Sequence, residues 1–125
     1  MLYSAEDWKK IIQTEREAFL RMTIKELFDR NGNLYIRGSY YGIYRNFLNY
    51  EDYILYLHSL FYDEVVNQIL NSKFEKYSSN VYTAGIKDRQ KLLRMDVYEY
   101  EWWQDSDGKL RCGLTIVISD YPRLN

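Results

Sequence analysis

Residues 91–119 read KLLRMDVYEYEWWQDSDGKLRCGLTIVIS, two strand-like runs on either side of Asp105-Ser106-Asp107-Gly108. A glycine closing a polar turn suits a type I turn whose last residue takes the left-handed conformation and makes a bulge. Pairing Asp105 with Lys109 then sets the register: Trp102 faces Cys112, Tyr100 faces Leu114 and Tyr98 faces Ile116, so the large apolar groups of both strands fall on one side. A two- or four-residue loop would instead place Glu99 and Glu101 beside Leu114 and Cys112, burying carboxylates for which the sequence offers no visible partner. The bulged turn is therefore predicted. Glu99, Glu101 and Trp103 then face outward, with Arg111 opposite Trp103, where a guanidinium can lie over the indole.

Upstream, residues 80–84 add a third strand. Near the start, Ser4 followed by Asp7 resembles a capping box, and Trp8, Ile11, Ile12, Phe19, Ile24, Leu27 and Phe28 recur at helical spacing. One long helix is predicted from about Ala5 to Asn31-Gly32. The competing reading makes Asn31-Gly32 a hairpin turn between residues 24–29 and 33–40, but Lys25-Glu26-Leu27-Phe28 lacks a period of two. Leu34 and Ile36 do show that period, which turns Tyr35 and Arg37 outward. Residues 38–47, GSYYGIYRNF, are too aromatic for a solvated loop and too glycine-rich for a helix, so an irregular segment or bent strand is expected. Asn49 with Asp52 opens a second helix whose stripe runs through Tyr53, Leu57, Phe61, Val65 and Ile69. The fold class is α+β: two main helices on a small antiparallel sheet dominated by the C-terminal hairpin, in a single compact domain spanning residues 1–125.

The chain has 14 tyrosines but a single histidine and a single cysteine among its 125 residues. A zinc site takes about four thiolate or imidazole ligands, and paired-imidazole chemistry needs two histidines, so neither is expected, nor is any metal or cofactor. His58, inside the second helix, has no convergent acid or nucleophile and reads as structural. Cys112, inward and opposite Trp102, reads as an inert thiol. Asp96, Glu99, Glu101, Asp105 and Asp107 are spaced poorly for a hard cation, and the last two are ordinary turn formers. The chain is not expected to be an enzyme.

Seventeen basic and 18 acidic residues give a formal charge of −1. They are spread evenly, eight of each sign before residue 63 and nine basic with ten acidic from there on. No basic tail offers a dominant grip on duplex DNA. A lone cysteine fits a reducing compartment, and neither a leader-like start nor about 18 consecutive apolar residues is present, so a cytoplasmic protein that does not enter membranes is expected.

Arg37-Gly38-Ser39-Tyr40-Tyr41-Gly42-Ile43-Tyr44 resembles the first RNA-binding signature of the RNA-recognition motif in its Arg, Gly and two aromatics. It departs at Ser39, Tyr40 and Gly42, and the chain around it lacks that family's βαββαβ order. The resemblance implies a single-stranded nucleic-acid binder. Separately, Lys87, Arg89, Lys91 and Arg94 form a basic stretch, softened by Asp88, that suits phosphates beside tyrosines stacking on unpaired bases; with Arg37 it carries this alternative, although a solvated charged turn or helix is the preferred reading of the stretch itself.

The leading expectation is a protein partner. A basic stretch, 87–94, precedes an acidic one, 96–107, and complementary charge with large aromatics is how protein interfaces steer and anchor. The reading is a noncatalytic accessory protein that regulates or blocks a macromolecular partner through Tyr35, Tyr40, Tyr41, Tyr44, Glu99, Glu101, Trp103 and Arg111. Its size and tyrosine content match viral or mobile-element inhibitors of host defence, anti-CRISPR proteins included, which would place it in the host cytoplasm. A homodimer closed by the uncovered hairpin edge is the other use of the same aromatics.

Overall fold

A computed structural model describes residues 3–31 and 35–119. The Asn31-Gly32 turn and the inward Leu34 therefore fall partly or wholly outside the described residues. The chain forms, in order, α1 (Ala5–Phe19), α2 (Ile24–Arg30), β1 (Ile36–Tyr40), β2 (Ile43–Phe47), α3 (Tyr50–Leu60), α4 (Asp63–Asn71), β3 (Glu75–Ser78), β4 (Val81–Asp88), β5 (Lys91–Gln104) and β6 (Leu110–Ser119). The α+β class holds. The sheet is neither small nor purely antiparallel: six strands lie in the order β2-β1-β6-β5-β4-β3, and β1 runs parallel to β6. The C-terminal hairpin supplies the two central strands and does not dominate the sheet.

Both expected long helices are broken, each for a local reason. Thr23 caps α2 by accepting from the Glu26 amide, and the Glu26 carboxylate accepts from the Thr23 amide. This reciprocal box starts a new helix where periodicity alone would continue the old one. In the second case Phe61 and Tyr62 adopt extended backbone, so α3 ends at Leu60 and α4 begins at Asp63. Phe61 is buried there against the Tyr40 ring, 5.2 Å between centroids. Tertiary packing thus overrides the helical stripe.

Residues 38–47 form a regular hairpin instead of an irregular segment, with Tyr40 paired to Ile43 and Tyr41-Gly42 at the tip. Both tip residues have positive φ, 53° and 80°, as a two-residue type I′ turn demands. The segment that resembles the RNA-binding signature is therefore two antiparallel strands and a turn. Gly38 is needed for space: a Cβ there would lie 2.6 Å from Phe47 Cε2 and 3.0 Å from Tyr53 Cε1. Gly38→Ala should overpack this contact and cost about 1–3 kcal/mol, read as a lower denaturant midpoint at unchanged slope.

The turn at 105–108 forms as its residues predict. The Asp105 amide donates to the Lys109 carbonyl, the Gly108 amide donates to the Asp105 carbonyl, and Gly108 has φ 82°. Trp102 pairs with Cys112 and Trp103 with Arg111. Beyond them the expected register fails, because residues 100 and 101 oppose Gly113 alone and the ladder resumes at Glu99↔Leu114, Tyr98↔Thr115 and Val97↔Ile116. Two residues against one is a β-bulge, and it exchanges the faces of everything upstream. Met95, Val97 and Glu99 turn inward, while Tyr98 and Tyr100 emerge on the other side.

The core lies on that inner face. Ile36, Phe47, Tyr82, Ile86, Leu93, Met95, Val97, Leu114, Ile116 and Ile118 from the sheet join one cluster with Phe19 of α1, Ile24, Leu27 and Phe28 of α2, Tyr53 and Leu57 of α3, and Val65, Val66 and Ile69 of α4. All four helices are thereby placed on one face. Among the described residues no helix is long and apolar enough to cross a membrane.

Candidate recognition surface

The second face of the sheet is roofed by side chains and not by helices. Strand alternation brings Arg37 of β1, Tyr44 of β2, Tyr98 and Tyr100 of β5 and Thr115 of β6 to this side. The Arg37 guanidinium lies 5.4 Å from the Tyr44 ring centre and 5.8 Å from that of Tyr100, and its Nε donates to the Thr115 hydroxyl at 3.4 Å. It bridges four strands, β2 to β5. Farther along, the Arg94 guanidinium sits 4.8 Å from the Tyr77 ring centre and donates to Asp96 Oδ1 at 2.7 Å. Asp96 and Thr115 are buried beneath this layer, whereas Tyr44 and Tyr100 remain 56% and 50% exposed. Each cation–π contact contributes about 0.5–1 kcal/mol at an exposed site, enough to bias the orientation of the rings before anything binds.

Several residues expected in the partner site have other duties. Glu99 is buried: Arg16 Nε donates to its Oε1 at 2.9 Å and its Oε2 at 3.2 Å, and Arg16 Nη2 is 2.8 Å from Oε1. This hydrogen-bonded pairing holds the Arg16 guanidinium above its ordinary pKa, with burial acting in the opposite direction. The Tyr82 hydroxyl comes near Glu99 without closing a hydrogen bond. Arg111 is also buried; instead of lying over Trp103 it donates to Asp105 at 2.8 Å, to Asp107 at 3.4 Å and to the Arg30 carbonyl at 2.7 Å. Asp105 is held below the usual carboxylate range first by Arg111 and then by the Trp103 indole, which donates to it at 2.7 Å. Arg111 is a bracket for the hairpin tip.

Tyr35 is half-buried and meets Trp103 edge-on at 4.7 Å, and Tyr40 is half-buried against Phe61. Glu101 stays exposed in the bulge. Tyr41 is 53% exposed at its hairpin tip. A tyrosine in the left-handed region is strained, so Tyr41→Asn, which restores the favoured Asn-Gly turn, should raise stability by about 0.5–1 kcal/mol in thermal or chemical denaturation.

The basic residues of the nucleic-acid alternative divide between two places. Arg37 and Arg94 join the tyrosine face, while Lys87, Arg89 and Lys91 surround the β4–β5 turn. There Arg89, at φ 58°, lies 4.2 Å from the Tyr62 ring centre.

Neither reactive side chain sits in this surface. His58 is at the exposed end of α3 with Nδ1 3.1 Å from Asp63 Oδ1, an ion pair only when the imidazole is protonated. The Cys112 thiol is buried, and desolvation pushes its pKa up to about 12 despite Arg30 nearby. An unfolded thiol ionises near 8.5, so the folded state keeps a proton that the unfolded state releases between those values. Stability should therefore be undiminished by this group below about pH 8.5 and fall as pH rises toward 12. Burial raises Tyr53 and Tyr82 as well, which steepens the decline above about pH 10. Alkaline denaturation followed with ultraviolet tyrosinate absorbance checks this: the buried rings should ionise only with unfolding. Among the described residues no three His, Cys, Asp or Glu side chains gather so as to hold a metal ion.

Tyr77, Tyr98 and Tyr100 were not identified as surface contacts by sequence reasoning, yet a signal for two of them exists. The apolar positions of β5 are odd at Leu93, Met95 and Val97 and even at Trp102, a phase change that requires one extra residue between them. Comparison of the chain with protein-family models, curated proteins and solved structures found no match.

Proposed function

We propose that the chain is a noncatalytic binding protein that regulates or blocks a protein partner by laying the tyrosine–arginine face of its sheet against it. The observation that carries this reading is the row Tyr44–Arg37–Tyr100, three large side chains prearranged across four strands on the face away from the helices. Tyrosine and arginine are the residues that dominate interface energetics, and stiff, mutually stacked side chains lose little freedom on docking. Of the expected contacts, Glu99 and Arg111 are buried, Tyr35, Tyr40 and Trp103 are half-buried, Tyr41 stands at the hairpin tip, and Tyr44 and Glu101 stay exposed; the proposed set keeps these last two and adds Arg37, Tyr77, Tyr98 and Tyr100. The narrower reading, a viral or mobile-element inhibitor of host defence, rests on size and tyrosine content; the fold adds nothing to it.

One observation favours single-stranded nucleic acid as a second reading: Arg37 and Arg94 share a surface with ring faces on which unpaired bases can stack. Affinity capture by the full chain, with and without nuclease and at rising salt, separates the two. A protein partner persists after nuclease treatment and is lost with Tyr44→Ala/Tyr100→Ala. Nucleic-acid binding instead weakens with a log–log salt slope of about −0.7 per neutralised phosphate. A partner retained in full by the double alanine variant would remove the face from consideration.

A homodimer closed by the hairpin edge remains a separate proposal, with a shorter edge than the full hairpin. β4 pairs with β5 along Lys91–Tyr98 and β1 with β6 along Leu114–Ile118, so an edge for such a dimer is confined to the distal part of the hairpin, residues 100–104 and 110–113.

A further inference from the structure

The sheet has two outer edges, and they differ in kind. β3 is four residues long, exposed throughout, carries Glu75 and Lys76, and loses register between Lys76 and Ser78. Shortness, charge and irregularity are the usual protections against an added strand. β2 has none of them in the same measure: its five residues pair with β1 without a register shift, and its sequence, IYRNF, is rich in strand formers. Ile43 is 71% exposed and Leu48, just past the strand, 66%.

We infer that the β2 edge accepts an extended segment of a partner protein as a seventh strand. In a two-residue hairpin closed by Tyr40 and Ile43, alternate residues turn their backbone groups outward, here Tyr44 and Asn46. Beside that edge lies a hollow of about 460 Å³ between β2 and α3, lined by Arg45, Phe47, Leu48, Asp52, Leu55 and Tyr56. The inward side chains of an added strand drop into it. Leu55, 69% exposed on α3, and Leu48 give them apolar surface.

Charge defines the occupant. The Arg45 guanidinium, 5.6 Å from the Phe47 ring centre and 5.4 Å from that of Tyr56, is the one charge on β2 and lines the hollow, whose other charge, Asp52, stands on α3 and not on the strand edge. A cross-strand neighbour on the same side that complements it is a carboxylate. A second copy supplies none: antiparallel self-pairing centred on Arg45 opposes two guanidiniums, and centring on Tyr44 or Asn46 sets Arg45 against Ile43 or Phe47. The occupant is thus an extended peptide with an acidic residue and, two positions away, an apolar one.

This inference rests on the protein-binding reading but uses the strand edge and the helix side of the sheet, sharing with the tyrosine face only Tyr44, whose backbone and not its ring is used here, so the two fail separately. Random decapeptides displayed on phage are selected against the full chain, and the strongest is synthesised and titrated. The expected result is an acidic residue two places from an apolar one, chemical-shift changes at the Tyr44 and Asn46 amides, and at least tenfold weaker binding by Asn46→Pro. With Arg45→Glu, which leaves the backbone free, selection should turn to basic peptides; Tyr100→Ala should bind the original peptide unchanged. Peptides that leave those two amides unperturbed, or an Arg45→Glu selection still acidic, overturn the proposal. So does light scattering that shows a wild-type dimer dissociated by Asn46→Pro, which assigns the edge to a second copy.

Discussion

Arg16→Ala is expected to lower the unfolding free energy by about 3 kcal/mol, the low end of what removing one partner of a buried pair costs. The Glu99 side chain is 1% exposed and Arg16 31%, so the variant strands a carboxylate under α1 while admitting some water through the space left behind. The nearby Tyr82 hydroxyl offers partial relief only. Replacing both members, Arg16→Met with Glu99→Met, should recover most of the loss, because two apolar side chains of similar bulk fill the site without desolvating a charge. Urea denaturation of the two variants is the check. Equal losses would mean that shape, and not charge pairing, is what the site requires. The same pair bears on the proposed face, because Glu99 inward goes with the alternation that puts Tyr98 and Tyr100 on the other side.

The second large effect concerns binding. Tyr44→Ala together with Tyr100→Ala removes both rings that flank Arg37, and interface tyrosines of this kind cost about 2 kcal/mol or more each, some thirtyfold in affinity. The two losses share one guanidinium and will not add fully, so a combined drop of a hundredfold or more is the expected reading in a titration with the captured partner. Both rings are at least half exposed, and the circular dichroism spectrum and melting temperature should stay nearly unchanged. A variant that unfolds would show the rings to be structural.

Local chemistry in the sequence carried through where it was dense. The Asp105–Gly108 turn, the pairs on its near side and the burial of Cys112 all follow from residues within a few positions of one another. The bulge was legible in the phase change between Val97 and Trp102, but it places Glu99 in the interior, and Glu99 looked unfit there because its partner, Arg16, lies 83 residues away. The parallel pairing of β1 with β6 is likewise long-range, and alternation within a strand does not say which strand lies beside it. Two misses had a readable cause. Thr23-Ile24-Lys25-Glu26 spells a capping box inside a stretch whose periodicity reads as one helix, and Tyr41-Gly42 sits where a tight hairpin turn needs two left-handed residues. The candidate site suffered most from the bulge, which moved Glu99 inward and put Tyr98 and Tyr100 in the open.

Hydroxyl-radical footprinting of the tyrosines, with and without the captured partner, tests the central claim most directly. The account predicts that Tyr44, Tyr77 and Tyr100 lose reactivity together on binding while Tyr41 and Tyr62, at the hairpin tip and the α3–α4 corner, keep theirs. Protection of Tyr41 and Tyr62 with the sheet-face rings still reactive would contradict it.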